Sequence, residues 1–243
     1  MVLDLKKDRL LVIAPHADDE VLGCFALMHK VKQSGGKVFV QILTLGGYSR
    51  IGGTDFKKED WKNEFLNVCK FMKVDAHDIM FYDDEEMHVD VLPQSDLIDY
   101  FELKSSIAIS KIKPTIIAIP TIFSAHQDHL ATYEAAITSL RHYHHMDTNL
   151  QKLIVSYEFL DSSFWSTHSE FGNFSPNFYV PLSKNEMDKK IQSFNLYKTQ
   201  HRKVHRDRNR ILTIAKFRGG EMGVEYAEAY HIHRLSLNLK RVK

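Results

Sequence analysis

The sequence predicts an α/β fold in three layers, with helices on both faces of a mostly parallel central sheet. Short aliphatic runs alternate with longer segments of helical periodicity along most of the chain, as in doubly wound proteins. The composition, 44% hydrophobic and 26% charged, excludes a disordered chain, a collagen-like repeat and a coiled-coil rod. Because no repeat or linker interrupts this pattern, we expect one domain over residues 1–243.

The first 45 residues follow a β-α-β pattern. The aliphatic run from Leu10 to Ala14 ends before Pro15 and is typical of a strand buried on both faces. Asp18 and Asp19 then stand where a helix begins, and helical spacing continues to Gly35-Gly36. A second strand at 37–45 should lie parallel to the first, with a right-handed crossover between them.

The same alternation continues beyond this unit. Helices are expected at 56–71, 96–112, 128–144 and 184–200, and strands at 79–82, 115–119 and 152–159. The helix at 96–112 should stop there because Pro114 pushes the preceding residue out of helical geometry. Loops are expected at 46–55, 83–94 and 161–176, and a polar stretch runs to residue 210.

Charge and cysteine content exclude several functions. With 32 Lys+Arg against 31 Asp+Glu, the chain lacks the basic excess of a nucleic-acid-binding protein. Two cysteines, Cys24 and Cys69, are too few for a disulfide-rich secreted scaffold. No apolar run reaches the roughly 18 residues of a membrane helix, and residues 10–14 are too short for a signal-peptide core. We expect a cytoplasmic protein without a transmembrane segment; a homo-oligomer is compatible with this sequence.

The first chemically suggestive cluster is Pro15-His16-Ala17-Asp18-Asp19-Glu20, between the first strand and the first helix. Open parallel sheets bind their ligands at this end of the strands. A histidine and an aspartate three residues apart in a tight turn can converge on one metal ion, which leaves Asp18 for proton transfer. Alone the pattern is weak, because such turns also cap helices. Glu20 is expected to be a first-turn charge favoured by the helix dipole.

A second cluster, Ser124-Ala125-His126-Gln127-Asp128-His129, follows the strand at 115–119 and opens the next helix. Two such turns at the carboxyl ends of strands in one sheet would face the same crevice. His16, Asp19 and His129 then offer three ligands for zinc and leave a fourth position for an activated water. The same set can hold Fe2+, so another divalent metal stays open.

Together these motifs resemble those of the LmbE/PIG-L family of metal-dependent N-acetylglucosaminyl deacetylases. Both clusters and the Val21-Leu22-Gly23-Cys24 that follows the first carry the resemblance. Weaker matches extend it over roughly residues 8–235: Thr44-Leu45-Gly46 with Arg50, Lys62-x-Glu64, Phe71-Met72-Lys73-Val74, Lys113-Pro114, Tyr197-Lys198-Thr199-Gln200 and Tyr226-Ala227-Glu228-Ala229-Tyr230. The resemblance implies a Rossmann-like three-layer fold.

The resemblance also implies a reaction. Metal-bound water would remove the N-acetyl group from an amino sugar or its conjugate, such as a glycoside, nucleotide sugar or lipid-linked sugar. His16, Asp19 and His129 would bind the metal, and Asp18 would be the general base.

Three further roles follow from the same resemblance. His126 would steady the oxyanion or protonate the leaving amine. Asp128 would orient His126 or cap the helix, and Arg50 would bind a sugar hydroxyl or a phosphate. The expected partner is therefore a small-molecule amino-sugar substrate, and no nucleic acid.

The sequence departs from the family pattern at several positions. Ala17 and Gln127 stand where proline is usual, which removes no metal ligand. Phe25 and Ala26 replace small residues after Gly-Cys. Phe25 is expected in the helix-sheet packing or in a pocket wall, so these departures concern substrate shape more than metal binding.

Two other hypotheses about the function stay open. A metal-dependent amidase could act on another small amide, or the fold could serve as a non-catalytic sugar or phosphate binder; a binder would have no need of Asp18. We interpret His142, His144 and His145 as helix-end residues. The basic segment 201–210 is interpreted as solvated surface, with contact to a substrate phosphate as the alternative.

Overall fold

A seven-stranded sheet with helices packed on both faces forms the centre of the protein. The computed structural model describes residues 5–45, 58–81, 89–141, 151–160, 173–200 and 207–236. This architecture confirms the predicted α/β fold in three layers.

The strand order places five parallel strands at one side of the sheet and an antiparallel pair at the other. Across the sheet the order is β3-β2-β1-β4-β5-β7-β6; the strands from β3 to β5 in this order are parallel, and β7 is antiparallel to both of its neighbours. The strands are β1 (Arg9–His16), β2 (Lys37–Thr44), β3 (Ala76–Phe81), β4 (Ile116–Pro120), β5 (Leu153–Tyr157), β6 (Phe178–Leu182) and β7 (Tyr226–Leu235).

The helices of the described residues connect these strands. They are α1 (Asp19–Gln33), α2 (Lys58–Met72), α3 (Gln94–Asp99), α4 (Ile109–Ile112), α5 (Gln127–Ser139), α6 (Lys184–Phe194) and α7 (Arg208–Met222). Shorter turns are 3-10 helical at Val89–Val91 and Lys198–Gln200, and π-helical at Tyr100–Lys104.

Strand β1 is buried on both faces, as its aliphatic run predicts. Alternate side chains point to opposite faces of a strand. Leu10 and Val12 therefore join a core with α1, α2, α6 and α7, whereas Leu11 and Ile13 join a second core with α3 and α5. Each of these four side chains is fully buried.

The chain reverses its direction across the sheet between β1 and β4. Strands β2 and β3 extend to one side of β1, and β4 and β5 extend to the other. In open α/β sheets such a reversal leaves a crevice beyond the carboxyl ends of the two central strands. The turns that begin at His16 and Thr121 enter this crevice from β1 and β4.

The predicted helix at 96–112 is wrong as a single element. It is divided into α3, the π-helical turn and α4, with an extended residue at Ser105 (φ −50°, ψ 146°). The Asp78 carboxylate accepts hydrogen bonds from the Ser105 hydroxyl and the Ser106 amide, each at 2.7 Å. These side-chain bonds replace helical ones, so the helix breaks.

Two other helix ends differ from prediction. Helix α5 stops at Ser139, and the amide of Arg141 bonds to the carbonyl of Thr138 (3.2 Å), a tighter turn than an α-helix makes. Helix α6 ends at Phe194, and a separate 3-10 helix follows at Lys198–Gln200. Helix α7 and strands β6 and β7 were not predicted.

Several predicted features lie outside the described residues. They are the loop at 46–55 with Arg50, residues 83–88, His142, His144 and His145, most of the loop at 161–176, and residues 201–206 of the basic segment. Across the part of the chain that the structure describes, every helix is too short or too polar to span a membrane.

The glycine at position 23 provides a test of packing between α1 and β5. A Cβ atom there would clash with the Tyr157 ring and lie 2.8 Å from the Glu158 carbonyl oxygen. We expect Gly23→Ala to lower the free energy of unfolding by about 2 kcal/mol, despite the better helix propensity of alanine. Urea unfolding measures this change.

Gly220→Ala in α7 is the matched control, because a Cβ at Gly220 meets nothing within 4 Å. That variant should be neutral or stabilising by up to about 1 kcal/mol. If the two substitutions had equal effects, the close packing at Gly23 would not limit stability.

Candidate metal centre

The turn after β1 is held in an unusual backbone conformation. Asp18 has φ 114°, a region that residues other than glycine rarely adopt, and its side chain is buried. The Asp18 amide donates to Glu20 Oε2 (3.0 Å), and the His16 amide donates to Asp19 Oδ2 (3.0 Å). The Asp18 carbonyl accepts the first helical bonds of α1. These contacts fix both aspartates at the start of the helix.

The turn after β4 is held by its own polar groups. His126 is the N-cap of α5: its Nδ1 accepts from the Asp128 amide at 3.3 Å. The His126 amide in turn donates to Ser124 Oγ at 3.2 Å. Helix α5 therefore begins with Asp128 and His129 buried against the crevice.

The structure brings His16, Asp19 and His129 together. Asp19 Oδ2 lies 3.3 Å from His16 Nδ1 and 3.3 Å from His129 Nε2. One ligand atom from each residue lies within 4.8 Å of the others, and all three residues are buried. The predicted convergence of the two turns is therefore present in the geometry.

The chemistry of these residues fits a divalent metal. His16 Nδ1, Asp19 Oδ1 and both ring nitrogens of His129 are buried and make no hydrogen bond with the described residues. Buried polar atoms nearly always have a partner. A cation would satisfy such atoms, and two imidazoles with one carboxylate form a set that zinc accepts.

Asp128 orients a different histidine from the one expected. Its Oδ2 is 2.9 Å from His16 Nε2, and its Oδ1 accepts from the Val89 amide at 3.1 Å. The Asp128 carboxylate was expected to orient His126. Instead, the backbone amide of Asp128 donates a hydrogen bond to His126 Nδ1. A carboxylate on the far nitrogen of a ligating histidine fixes the ring and its tautomer.

His126 lies beside the three converging residues. Its ring centroid is 4.8 Å from that of His16 and 5.5 Å from that of His129. Burial, followed by the nearby His16 and His129, lowers the pKa of His126 to about 4. The ring is therefore neutral near neutral pH. Because Nδ1 accepts a hydrogen bond, the proton of the neutral ring resides on Nε2.

The two histidine-aspartate contacts set the charges of the metal-free site. Burial lowers the pKa of His16, but the hydrogen bond to Asp128 and the nearby carboxylate of Asp19 more than offset burial and raise the pKa to about 8. Burial favours protonation of Asp19, yet the facing His129 and His16 hold its pKa well below the usual value. The site therefore combines an ionised carboxylate with a readily protonated imidazole.

Glu20 lies in the first turn of α1, as the sequence predicts. It is buried, and its Oε1 accepts from the Tyr197 hydroxyl at 2.5 Å. Burial raises its pKa to about 8. Glu20 therefore acts as a buried anchor for the Asp18 amide rather than as a partner of the helix dipole.

Sequence reasoning missed two neighbours of the site. Tyr197 holds Glu20 from the turn after α6, and the only signal for it was the weak Tyr-Lys-Thr-Gln match. Phe159 packs on His129, with ring centroids 4.3 Å apart. Its signal was its place at the end of a predicted strand.

The chain belongs to the PIG-L family: the family model, described as GlcNAc-PI de-N-acetylase, matches residues 11–140. This confirms the resemblance found in the sequence. No curated protein sequence matches the chain.

Solved structures share the fold over nearly the whole chain. N,N'-diacetylchitobiose deacetylase from Pyrococcus horikoshii is 20% identical, with a TM-score of 0.71, and the match covers 93% of this chain and 83% of that one. The zinc-inhibited form of teicoplanin deacetylase Orf2 is 17% identical, with a TM-score of 0.67 and coverage of 92% and 97%. GalB, the 4-carboxy-2-hydroxymuconate hydratase from Pseudomonas putida KT2440, is 13% identical, with a TM-score of 0.71 and coverage of 96% and 100%. At these identities the similarity shows the fold.

The raised pKa of His16 predicts how the stability of metal-free protein depends on pH. The folded pKa of about 8 exceeds the ordinary histidine value of 6.5, so the stabilisation is complete below about pH 6.5 and is lost as the pH rises through about 8. In the presence of a chelator, we expect a loss of about 2 kcal/mol between these limits. Urea unfolding at several pH values measures it.

His16→Gln serves as the comparison for this measurement. Glu20 also loses a proton in this range, but it does so in both proteins and cancels in the difference. The variant should show the shallower pH dependence. Parallel curves for the two proteins would contradict the ion pairing of His16.

Proposed function

We propose that the protein is a metal-dependent hydrolase that removes the N-acetyl group from an amino sugar or its conjugate. The observation that carries the proposal is the convergence of His16, Asp19 and His129. His126 lies beside them, and the buried Asp18 precedes Asp19 in the chain. Membership of the PIG-L family supports it, as do the two deacetylases of the same fold. Amide hydrolysis needs an activated water, a group that stabilises the oxyanion and a proton for the amine.

In this proposal His16, Asp19 and His129 hold the metal. Zinc suits two imidazoles and one carboxylate, and Fe2+ is the alternative for the same donors. When bound, such an ion supplies Lewis acidity, which polarises a carbonyl oxygen and makes water more acidic. Asp128 is a positioning residue that keeps His16 Nδ1 turned toward Asp19 through its bond to Nε2.

Asp18 is the proposed general base. It adjoins the ligand Asp19, but its backbone conformation differs from that of the helix that follows. The Glu20 bond to its amide keeps that conformation in place. We propose that Asp18 accepts the proton of the attacking water.

His126 is the proposed donor on the other side of the reacting carbonyl. It is neutral near neutral pH, and its Nε2 carries the proton because Nδ1 caps α5. A neutral donor can stabilise the developing oxyanion and then protonate the leaving amine. Arg50, for which we proposed contact with a substrate hydroxyl or phosphate, stays a sequence-based proposal.

A hydratase is the second candidate, because the muconate hydratase GalB shares this fold over 100% of its chain. Both reactions begin with an activated water. They differ in product: a deacetylase releases acetate, whereas a hydratase adds water to a double bond and releases nothing. Acetate detection therefore separates the two functions.

The metal assignment predicts about one divalent ion per purified chain, measured by elemental analysis. His129→Ala should weaken metal binding by more than about 100-fold, because it removes a proposed ligand. His231→Ala is the control, since His231 is half-buried, bonds to the Ser175 carbonyl and is not one of the converging residues. If His129→Ala bound metal as tightly as the parent, His129 would not be a ligand.

The base assignment predicts that Asp18→Asn retains metal but loses acetate release by about 100-fold or more. The assay uses N-acetylglucosamine, diacetylchitobiose, nucleotide sugars and acetylated glycosides with the metal-loaded protein. Asp188→Asn on α6 is the control for removal of a carboxylate elsewhere. A near-parental rate in Asp18→Asn would exclude the base role. If the parent released no acetate from any substrate, the deacetylase proposal would be wrong.

A further inference from the structure

A second cavity lies far from the metal centre. It has a volume of about 350 Å³ and is bordered by the second half of α1, the end of α2 and the middle of α6. That volume lies within the range of small-molecule sites. His29, on its wall, follows Asp19 by ten residues of one helix, which corresponds to about 15 Å along the axis. The cavity is therefore separate from the crevice at the carboxyl ends of the strands.

The rim of this cavity carries excess positive charge. Lys32, Lys73 and Lys189 all border it. Lys32 is neutralised by Asp75, whose Oδ2 lies 2.8 Å from its Nζ. Among the described residues, Lys73 and Lys189 have no ion-pair partner. Glu186, on the same helix as Lys189, is already bonded to Lys30 at 2.6 Å.

These lysines are not explained by helix ends alone. Lys32 lies in the last turn of α1, where a cation is favoured, but Lys189 lies in the middle of α6. Lys73 follows α2 in the left-handed conformation (φ 56°), which favours glycine. Its turn is closed by a bond of 2.9 Å from the Val74 amide to the Cys69 carbonyl. Two lysines without an ion-pair partner among the described residues thus border the same cavity.

Aromatic rings form the apolar part of the same cavity. Phe25 and His29 stack with their centroids 5.3 Å apart and their planes 13° from parallel. Phe71 borders the opening and is 40% exposed. Phe25, which stands where the family pattern has a small residue, is fully buried and supports the partly exposed ring of His29 from behind. A flat or apolar group would pack on the accessible surfaces of His29 and Phe71.

We infer that this cavity binds a small organic anion that carries an aromatic ring, with the anionic group at Lys73 and Lys189 and the ring against His29 and Phe71. Charge complementarity and the apolar wall together select this class. The inference does not depend on the proposed deacetylase activity, because it uses none of the metal-centre residues.

Ligand-observed NMR titration of the full-length, metal-loaded protein tests the inference with three probes. Phenyl phosphate carries both features, inorganic phosphate only the charge, and phenol only the ring. We expect phenyl phosphate to bind at least about tenfold more tightly than either of the others. If inorganic phosphate or phenol bound equally tightly, or if phenyl phosphate failed to bind, the inference would be wrong.

Lys73→Gly is the decisive variant, because glycine suits the left-handed backbone at position 73 and should keep or raise the stability. It should weaken phenyl phosphate binding by about tenfold, and Lys189→Gln should have a similar effect. Lys70→Gln is the matched control: it removes the same charge from the last turn of α2, away from the cavity wall.

The pattern of losses locates the site. Equal losses in Lys73→Gly and Lys70→Gln would indicate general surface charge and overturn the inference. Binding that is lost in His16→Ala but retained in Lys73→Gly would place the anion at the metal centre, which also overturns it. Loss in Lys73→Gly and Lys189→Gln alone supports the second site.

Discussion

The carboxylate of Asp19 is shared by groups from both halves of the sheet. One of its oxygens accepts the His16 amide from β1 and faces the imidazole of His129 from α5. This arrangement is possible only because β1 and β4 are adjacent and parallel, with Leu10 opposite Ile116. A shift of register between these two strands would separate the histidines. The strand reversal therefore determines the chemistry of the crevice as well as its shape.

A buried charge pair fixes the helix that carries this carboxylate. Lys190 Nζ donates to the Leu22 carbonyl (2.7 Å) and to Glu228 (2.6 Å), while Glu228 accepts from the Ala26 amide (2.8 Å). Buried charges are tolerated when they are paired and fully hydrogen-bonded. The pair therefore ties α1 to both α6 and β7, and it limits sliding of α1 along the sheet.

Local signals account for what the sequence predicts correctly. The aliphatic run of β1 and the aspartates at the start of α1 are visible within a few residues of each other, and adjacent parallel strands bring His129 to them. The features that the sequence did not reveal depend on distant partners. The break at Ser105 needs Asp78, and the burial of Glu20 needs Tyr197, which lies 177 residues later. Such partners leave no periodic trace in the sequence.

The family match ends at residue 140, but residues beyond 140 also support the site. The region 11–140 contains every proposed metal ligand. Three of its residues nevertheless bond to side chains beyond residue 140: Glu20 to Tyr197, Glu64 to Thr199, and the Leu22 carbonyl to Lys190. The matched region is therefore not a detachable module. A chain that ended after α5 would leave two buried carboxylates without these partners and would expose the edge of β4 to pairing with other molecules.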